Sequence, residues 1–206
     1  RRTTEISIPT GPGVEPRLRM IYSSDPIGVL DACVLYPAPV RDLLLSFANE
    51  GLFKPKWSEE IQREWSENLL ANRTDLKKTQ IQETIHAMNN AFPDANVEKY
   101  ENFIQEIKIP DPNDRHVVAA ALRSRADVIV TNNLKDFPPS ITEKFGIEIQ
   151  HPDLFLSNVY DLDPAKANAA FRKQLDRLKN PPIPESELFA ILKELGLSKV
   201  VKRLMN

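Results

Sequence analysis

The sequence predicts an α/β domain of three layers, with a mostly parallel sheet between helices, followed by a C-terminal helical extension. Three observations predict it. Short apolar runs of strand character alternate with helical segments up to residue 150, strand signals then cease, and helical periodicity continues to the C-terminus. Such alternation is typical of a parallel sheet covered by helices. With 206 residues, the chain is long enough for one such domain and an accessory segment.

The first half of the chain divides into an arm, a strand and three helices. Residues 1–19 contain three Pro and two Gly and predict a flexible N-terminal arm. Residues 27–31, IGVLD, predict a short buried strand that ends on Asp31. Helices are predicted over 37–51, over 57–73 with Ser58 as the N-cap, and over 74–92.

The second half adds two strands and the C-terminal helices. Residues 126–131, ADVIVT, form an apolar run that predicts a strand covered on both faces, and 145–150, FGIEIQ, predicts another. Helices are predicted over about 112–125, 151–160, 163–179 and 185–205. The predicted units are therefore the arm over 1–19, the sheet domain over 20–160 and a helical domain over 161–206.

Composition and charge limit the class of protein. Hydrophobic residues make up 41% of the chain, which predicts a buried core and argues against global disorder. The sequence has no apolar run of membrane-spanning length and no stretch of signal-peptide type, and Cys33 is its single cysteine. We therefore expect a cytoplasmic protein. The middle of the chain is acidic, whereas residues 161–206 carry nine Lys and Arg against six Asp and Glu, which suits contact with a polyanion.

Acidic and amide side chains follow two of the predicted strands. Asp31 ends the first strand, and Asp136 lies in the loop after VIVT, close to Asn132 and Asn133. Ligands of open parallel sheets bind at the carboxyl ends of strands, so we expect these side chains at one crevice. Each residue taken alone is equally typical of an ordinary turn.

Two predicted helices bring further acids to the same edge. In PDPND, Asp111 is predicted as an N-cap with Pro112 in the first turn, whereas Asp114 lies on the helix face that should pack against the sheet. Glu64 borders the apolar stripe of its helix, so it is the acid of that helix expected nearest the core. The simpler alternatives are a helix-start acid for Asp114 and a solvated flank for Glu64.

Taken together, these acids predict a metal site. Clustered carboxylates repel one another unless a cation lies among them. Carboxylate and amide oxygens are hard ligands that suit Mg²⁺ or Mn²⁺, and a metal held in this way suits phosphate-ester chemistry. The candidate ligands are Asp31, Glu64, Asp114, Asp136 and Asn133.

Other site chemistries fit the sequence less well. It contains no phosphate-binding GxxxxGK[ST] loop. Cys33 and Thr131 are interpreted as packing residues, because no base accompanies them as a nucleophile would require. The three histidines, His86, His116 and His151, are scattered, which argues against a zinc site. His116 is interpreted as a solvated helix position, with a substrate contact as the alternative because it lies two residues from Asp114.

The chain resembles the PIN-domain nucleases, and in particular the VapC-type toxins of toxin–antitoxin pairs, in the order of four motifs: VLDAC, Glu64, DPNDRHVVAAA and VIVTNNLKDF. The likeness covers about residues 26–160, and the helical extension is similar to that of a subgroup with a C-terminal helical domain. The resemblance implies an endoribonuclease that depends on Mg²⁺ or Mn²⁺, cleaves structured RNA and is held inactive by a protein antitoxin. It implies that Asp31, Glu64 and Asp114 are acids of the metal site and that Asp136 is the fourth. Many members of the family have the fourth acid at the position of Asn133.

A second hypothesis is a non-catalytic PIN-like scaffold that binds RNA or protein. It predicts normal folding without cation-dependent cleavage, whereas the three leading acids favour the enzyme. The sequence does not determine the RNA target, the number of metal ions or the oligomeric state, so a homodimer is compatible with it.

Overall fold

The structure, a computed structural model, describes residues 26–179 and 181–206, with the backbone alone for residues 141–143. The predicted arm, 1–19, lies outside the described residues. The strands are β1 (Ile27–Leu30), β2 (Lys54–Lys56), β3 (Val128–Val130) and β4 (Glu148–Gln150). The helices are α1 (Ala32–Leu35), α2 (Ala38–Asn49), α3 (Glu59–Asn72), α4 (Lys78–Ala91), α5 (Glu101–Ile104), α6 (Arg115–Ser124), α7 (Pro139–Phe145), α8 (Pro152–Leu162), α9 (Pro164–Arg177), α10 (Glu185–Glu194) and α11 (Ser198–Leu204).

The strands form one parallel sheet in the order β2-β1-β3-β4. Parallel strands need crossover connections, which the intervening helices supply. All three residues of β3 are fully buried, although successive side chains of a strand point to opposite faces. Both faces of the sheet are therefore covered, which confirms the predicted three-layer α/β domain.

Helix α8 packs closely against the centre of the sheet at Gly28. A Cβ atom on Gly28 would lie 3.3 Å from Cζ of Phe155, so only glycine leaves room for this ring without a shift. Phe155 also contacts Phe53 edge to face, with ring centroids 4.9 Å apart. The contact between Phe155 and Gly28 anchors the start of the C-terminal helices to β1, the strand that leads to Asp31.

Strand β2 is an element that the sequence does not predict. Its residues, KPK, lack the apolar and β-branched side chains that mark a strand. Among the described residues, β2 pairs with β1 alone at the edge of the sheet, where Pro55 lies opposite Gly28. An edge strand tolerates proline because one side of the strand needs no N–H donor.

The C-terminal part of the prediction needs two corrections. The single helix predicted over 185–205 is two helices, α10 and α11, because Gly196 adopts a φ of +87°, which stops α10. The strand predicted over 145–150 is shortened to Glu148–Gln150, because α7 extends to Phe145. Apolar periodicity continues through both boundaries, so it does not reveal them.

Helix α9 is fixed to α2 by packing and by ion pairs. Lys173 Nζ lies 2.6 Å from Glu50 Oε1, and Arg177 Nη2 lies 2.8 Å from Asp42 Oδ1. Phe171 of α9 is buried in the same apolar core as the sheet. Because the core is continuous across residue 160, the independence of the helical domain 161–206 stays a prediction.

The carboxylate of Asp153 connects α8 to α11. It accepts hydrogen bonds from the backbone N–H groups of Lys199 at 3.0 Å and Val200 at 2.9 Å, and it is buried. It therefore satisfies N–H groups at the start of α11 that have no partner within the helix.

In the described part of the chain, no helix combines the length and hydropathy of a membrane span.

Candidate active site

Asp31 is held rigidly at the carboxyl end of β1. Its Oδ1 accepts the N–H of Ala32 at 2.7 Å, and its Oδ2 accepts the hydroxyl of Thr131 at 2.6 Å and the thiol of Cys33 at 3.1 Å. The side chain is only 4% exposed. These three donors fix the orientation of the carboxylate at the edge of the sheet, where we expect it.

Cys33 and Thr131 therefore orient Asp31, a role that their interpretation as packing residues misses. Burial and the adjacent Asp31 carboxylate raise the pKa of the Cys33 thiol to about 12, so the thiol stays protonated and able to donate. Thr131 follows β3 and also accepts the N–H of Asn133 at 3.0 Å. Thr131 thus connects the loop after β3 to the carboxylate at the end of β1.

Asp114 occupies the N-cap position of α6, but its side chain does not cap the helix. Asp111 is an N-cap, as predicted: its Oδ1 accepts a hydrogen bond from the N–H of Asn113 at 2.9 Å. It caps a single 3-10 turn over Pro112–Asp114, which leads into α6. The side chain of Asp114 makes no capping hydrogen bond. Burial raises its pKa to about 6, and the charges of Asp31, Asp111 and Asp136 contribute to the shift.

Glu64 comes from α3, which begins at the predicted N-cap: Ser58 Oγ accepts the N–H of Ile61 at 3.2 Å. Its Oε1 lies 3.0 Å from Nε2 of His116, on α6. Burial disfavours the charged imidazole, but its interaction with Glu64, supported by Glu60, outweighs burial and raises the pKa of His116.

The interpretation of His116 as a solvated position is wrong, since only 3% of the residue is exposed. The physical reason is the position of α6, in which residues 116–121 are all buried. The local signal that could have found it is the run HVVAAA, which leaves α6 with little polar surface at its start.

These side chains meet in an open cleft of about 500 Å³, here called the acidic cleft. Ten residues line it: Asp31, Ala32, Cys33, Tyr36, Glu64, Trp65, Asn68, Asn72, Asp114 and Asn133. The structure thus brings together four of the five candidate ligands. Asp136 is not among the lining residues; it lies half-buried on the 3-10 turn Leu134–Asp136, close enough to raise the pKa of Asp114.

The lining of the acidic cleft fits a divalent cation. It offers three carboxylates and three side-chain amides, and the described lining contains no Lys or Arg. Burial of the Asp114 carboxyl and the charges of neighbouring carboxylates raise its pKa, and a bound cation would relieve that repulsion. An all-oxygen donor set of this kind suits a hard ion. Asp31, Glu64, Asp114 and Asn133 are therefore the residues that would hold it.

A second cavity, of about 580 Å³, lies between the sheet domain and the C-terminal helices and is here called the apolar groove. Residues of α2, α4, α9 and α10 line it, and its apolar surface far exceeds its polar surface. Its lining includes Leu45, Met88, Leu188 and Ile191.

Comparison with known proteins gives two family matches. The PIN domain model matches residues 28–135, and the VapC50 C-terminal domain model matches residues 152–206. A protein of Mycobacterium tuberculosis named "Putative ribonuclease VapC50" is 42% identical over 81 residues, which are 39% of this chain and 48% of that protein. The chain thus spans about half the length of this relative. No solved structure matches the chain. The PIN match covers the strands and helices that carry Asp31, Glu64 and Asp114, and the chain belongs to the PIN-domain family, with a VapC50-type C-terminal extension.

Proposed function

We propose that this protein is an endoribonuclease that depends on Mg²⁺ or Mn²⁺, cleaves structured RNA and acts as the toxin of a toxin–antitoxin pair. One observation carries the proposal: Asp31, Glu64, Asp114 and Asn133, from four separate segments, converge in one cleft lined by oxygen donors. The name of the M. tuberculosis relative, a ribonuclease, supports the reaction class. Structured RNA and an antitoxin partner follow from the VapC resemblance.

The residues of the cleft are prepared for this chemistry to different degrees. Asp31 needs little reorganisation, because three donors already fix its carboxylate. Glu64 is held through Oε1 by His116, and its side chain also lines the cleft. The metal, when bound, would activate water and stabilise negative charge on the phosphate.

Asp114 and Asn133 complete the proposed cation site from the other side. Asp114 carries no cap hydrogen bond, so its carboxylate is available to the cation. Asn133 offers a neutral oxygen at the exposed rim of the cleft, and we assign it the fourth position. Asp136, half-buried nearby, is placed to act through its charge on Asp114.

RNA would reach the cleft along exposed basic side chains. Lys135 is exposed on the turn after β3, next to Asn133. The C-terminal helices also present exposed lysines, namely Lys193, Lys199 and Lys202. Replacing these three by Gln should weaken RNA binding and make it less dependent on salt, because fewer counterions are released. Filter binding at several salt concentrations measures this, and an unchanged salt slope would remove the C-terminal helices from the RNA contact.

The reaction is tested by incubating the purified chain with structured RNAs, with Mg²⁺ or Mn²⁺ and with EDTA. We expect cleavage that stops on chelation and is lost in Asp31→Asn, which keeps the ability to cap α1. Cleavage that persists under full chelation would overturn the metal mechanism. RNA binding without cleavage under any condition would favour the non-catalytic scaffold instead.

The toxin role has its own test. Expression of the active chain should arrest growth, and co-expression of a cognate antitoxin should restore it, whereas Asp31→Asn should be harmless. Unhindered growth with abundant, RNA-cleaving protein would contradict the toxin role and leave the nuclease intact. Sedimentation of the same purified chain tests whether it forms a homodimer.

A further inference from the structure

Behind the acidic cleft, three side chains form a cluster with a different donor chemistry. Glu60 and Glu64 are four residues apart on α3 and so share one helix face, which His116 of α6 approaches. One ligand atom from each residue lies within 4.8 Å of the others. We propose that Glu60, Glu64 and His116 form a second metal site, which takes a transition-metal dication of the Zn²⁺ or Co²⁺ type.

The imidazole of His116 provides an independent reason for this assignment. The residue is 3% exposed, and within the described residues neither ring nitrogen has an aligned hydrogen bond. Nε2 lies 3.0 Å from Glu64 Oε1 and Nδ1 lies 3.9 Å from Glu60 Oε2, so the ring is directed at the two carboxylates. A buried nitrogen without an aligned partner is uncommon in proteins, and coordination of an ion would satisfy it.

The two carboxylates can shift toward an ion at small cost. Glu60 Oε1 accepts a hydrogen bond from Arg63 Nη2 at 3.2 Å. The side chains of Glu60 and Arg63 are 35% and 57% exposed, and such surface ion pairs are weak. The hydroxyl of Tyr100 donates to Glu60 Oε2 at 3.4 Å and can remain as an outer hydrogen bond that orients the ligand. Glu64 is similarly part-exposed, which leaves the ion a path from solvent.

Ligand chemistry separates this site from the acidic cleft. The candidate ligands of the cleft are carboxylate and amide oxygens, which suit Mg²⁺, whereas an imidazole nitrogen with two carboxylates suits Zn²⁺ and Co²⁺. Glu64 belongs to both sites, so an ion at the cluster should alter cation binding in the cleft. The cluster adjoins the site of the proposed function, but its metal binding can be measured without RNA and does not depend on catalysis.

The experiment titrates the metal-free 206-residue chain with Co²⁺ alone and follows the visible absorption bands of the bound ion. We expect a band from a nitrogen-containing site, with Co²⁺ affinity at least about tenfold lower in Glu60→Gln and in His116→Gln. Glu60 is part-exposed, so this variant tests the site even if the buried His116→Gln does not fold. Matched controls are Glu59→Gln, an exposed acid of the same helix, and His86→Gln, an exposed histidine of α4, and both should bind Co²⁺ as the unmodified chain does.

Asp114→Asn distinguishes the two sites. It should weaken Mn²⁺ binding in the cleft and keep the Co²⁺ band. Loss of the band in Asp114→Asn with its retention in Glu60→Gln would overturn the second site, because the cleft would then hold all the bound metal. Absence of a nitrogen-ligated Co²⁺ band in the unmodified chain would also overturn it, and the cluster would then be an ion pair that only orients Glu64.

Discussion

The acidic cleft and the apolar groove have similar volumes, about 500 and 580 Å³, but opposite relations to stability. The cleft gathers carboxylates that repel one another, and the pKa of about 6 at Asp114 records the cost. The groove is walled by apolar side chains such as Leu188, which is 1% exposed and contributes to the core. Cavity volume therefore does not identify the reactive site, whereas residues that are unfavourable for folding do.

This contrast predicts opposite outcomes for substitutions in the two regions. Changes to the cleft acids should remove activity and spare stability, whereas changes to the groove wall should lower stability and spare activity. The C-terminal helices share the core of the sheet domain, so point substitutions test the contrast more cleanly than truncation does.

The largest effect is expected for Asp114→Asn. RNA cleavage should fall by more than about 100-fold, because even outer-shell partners of a metal cost about 10–100-fold. Without metal, the thermal unfolding midpoint should stay the same or rise, since the substitution removes the cost of burying a carboxylate and its repulsion with Asp31 and Asp111. Cleavage assays and thermal melts with and without Mn²⁺ measure both. An earlier melt without metal, together with normal cleavage, would reduce Asp114 to a helix-start residue.

In the groove, Leu188→Ala should lower the free energy of unfolding by about 2–5 kcal/mol, as buried Leu→Ala changes do. Mn²⁺ binding and cleavage per folded molecule should not change, because α10 supplies no residue to the cleft. Denaturant unfolding and metal titration give the two readouts. A groove substitution that reduced Mn²⁺ affinity in folded protein would break the contrast between the regions.

The pH dependence of the metal-free chain should show the cost of the cleft directly. The pKa of Asp114 in the folded chain is raised from the ordinary 3.8 to about 6, so the fold favours the protonated carboxyl. The stability that Asp114 contributes is therefore fully present below pH 4 and is lost as pH rises through 6. The unfolding free energy should thus fall between pH 4 and 7 by about 1–2 kcal/mol relative to Asp114→Asn, discounted for the partial exposure of the side chain.

Bound Mn²⁺ should reverse the sign of this dependence, because the metal binds the ionised carboxylate and is released as pH falls through 6. Chemical denaturation at several pH values, with and without Mn²⁺, measures the difference between the chain and Asp114→Asn. Identical pH profiles for the two proteins would contradict the assigned repulsion.

The smallest effect is expected at Asp111, three residues before Asp114. Asp111→Ala should cost about 1 kcal/mol, because the N–H of Asn113 loses its cap, whereas Asp111→Asn should retain the cap and the stability. Neither variant should reduce cleavage substantially. A loss of cleavage in Asp111→Asn comparable to that in Asp114→Asn would enlarge the reactive region to include the cap.

The sequence by itself determined the elements whose signals are local. The fold class follows from the alternation of apolar strands with helices, and Ser58 and Asp111 are helix caps as predicted. It also predicted that Asp31, Glu64 and Asp114 meet. Asp31 ends a strand of a parallel sheet, Asp114 lies on the helix face that packs against the sheet, and Glu64 borders the apolar stripe of its helix. Asn133 and Asp136 remained equivalent alternatives, since residues three apart in a loop have no period that separates them.

Only the tertiary structure decided features that depend on segments far apart in the chain. The residues KPK form a strand because they pair with β1. His116 is buried because α6 packs against α5 and the sheet, with Glu64 beside the imidazole. Thr131 orients Asp31 because β3 lies next to β1. Hydrogen bonds and pKa shifts of this kind depend on atomic distances between segments far apart in the chain, and a local pattern of residues does not give those distances.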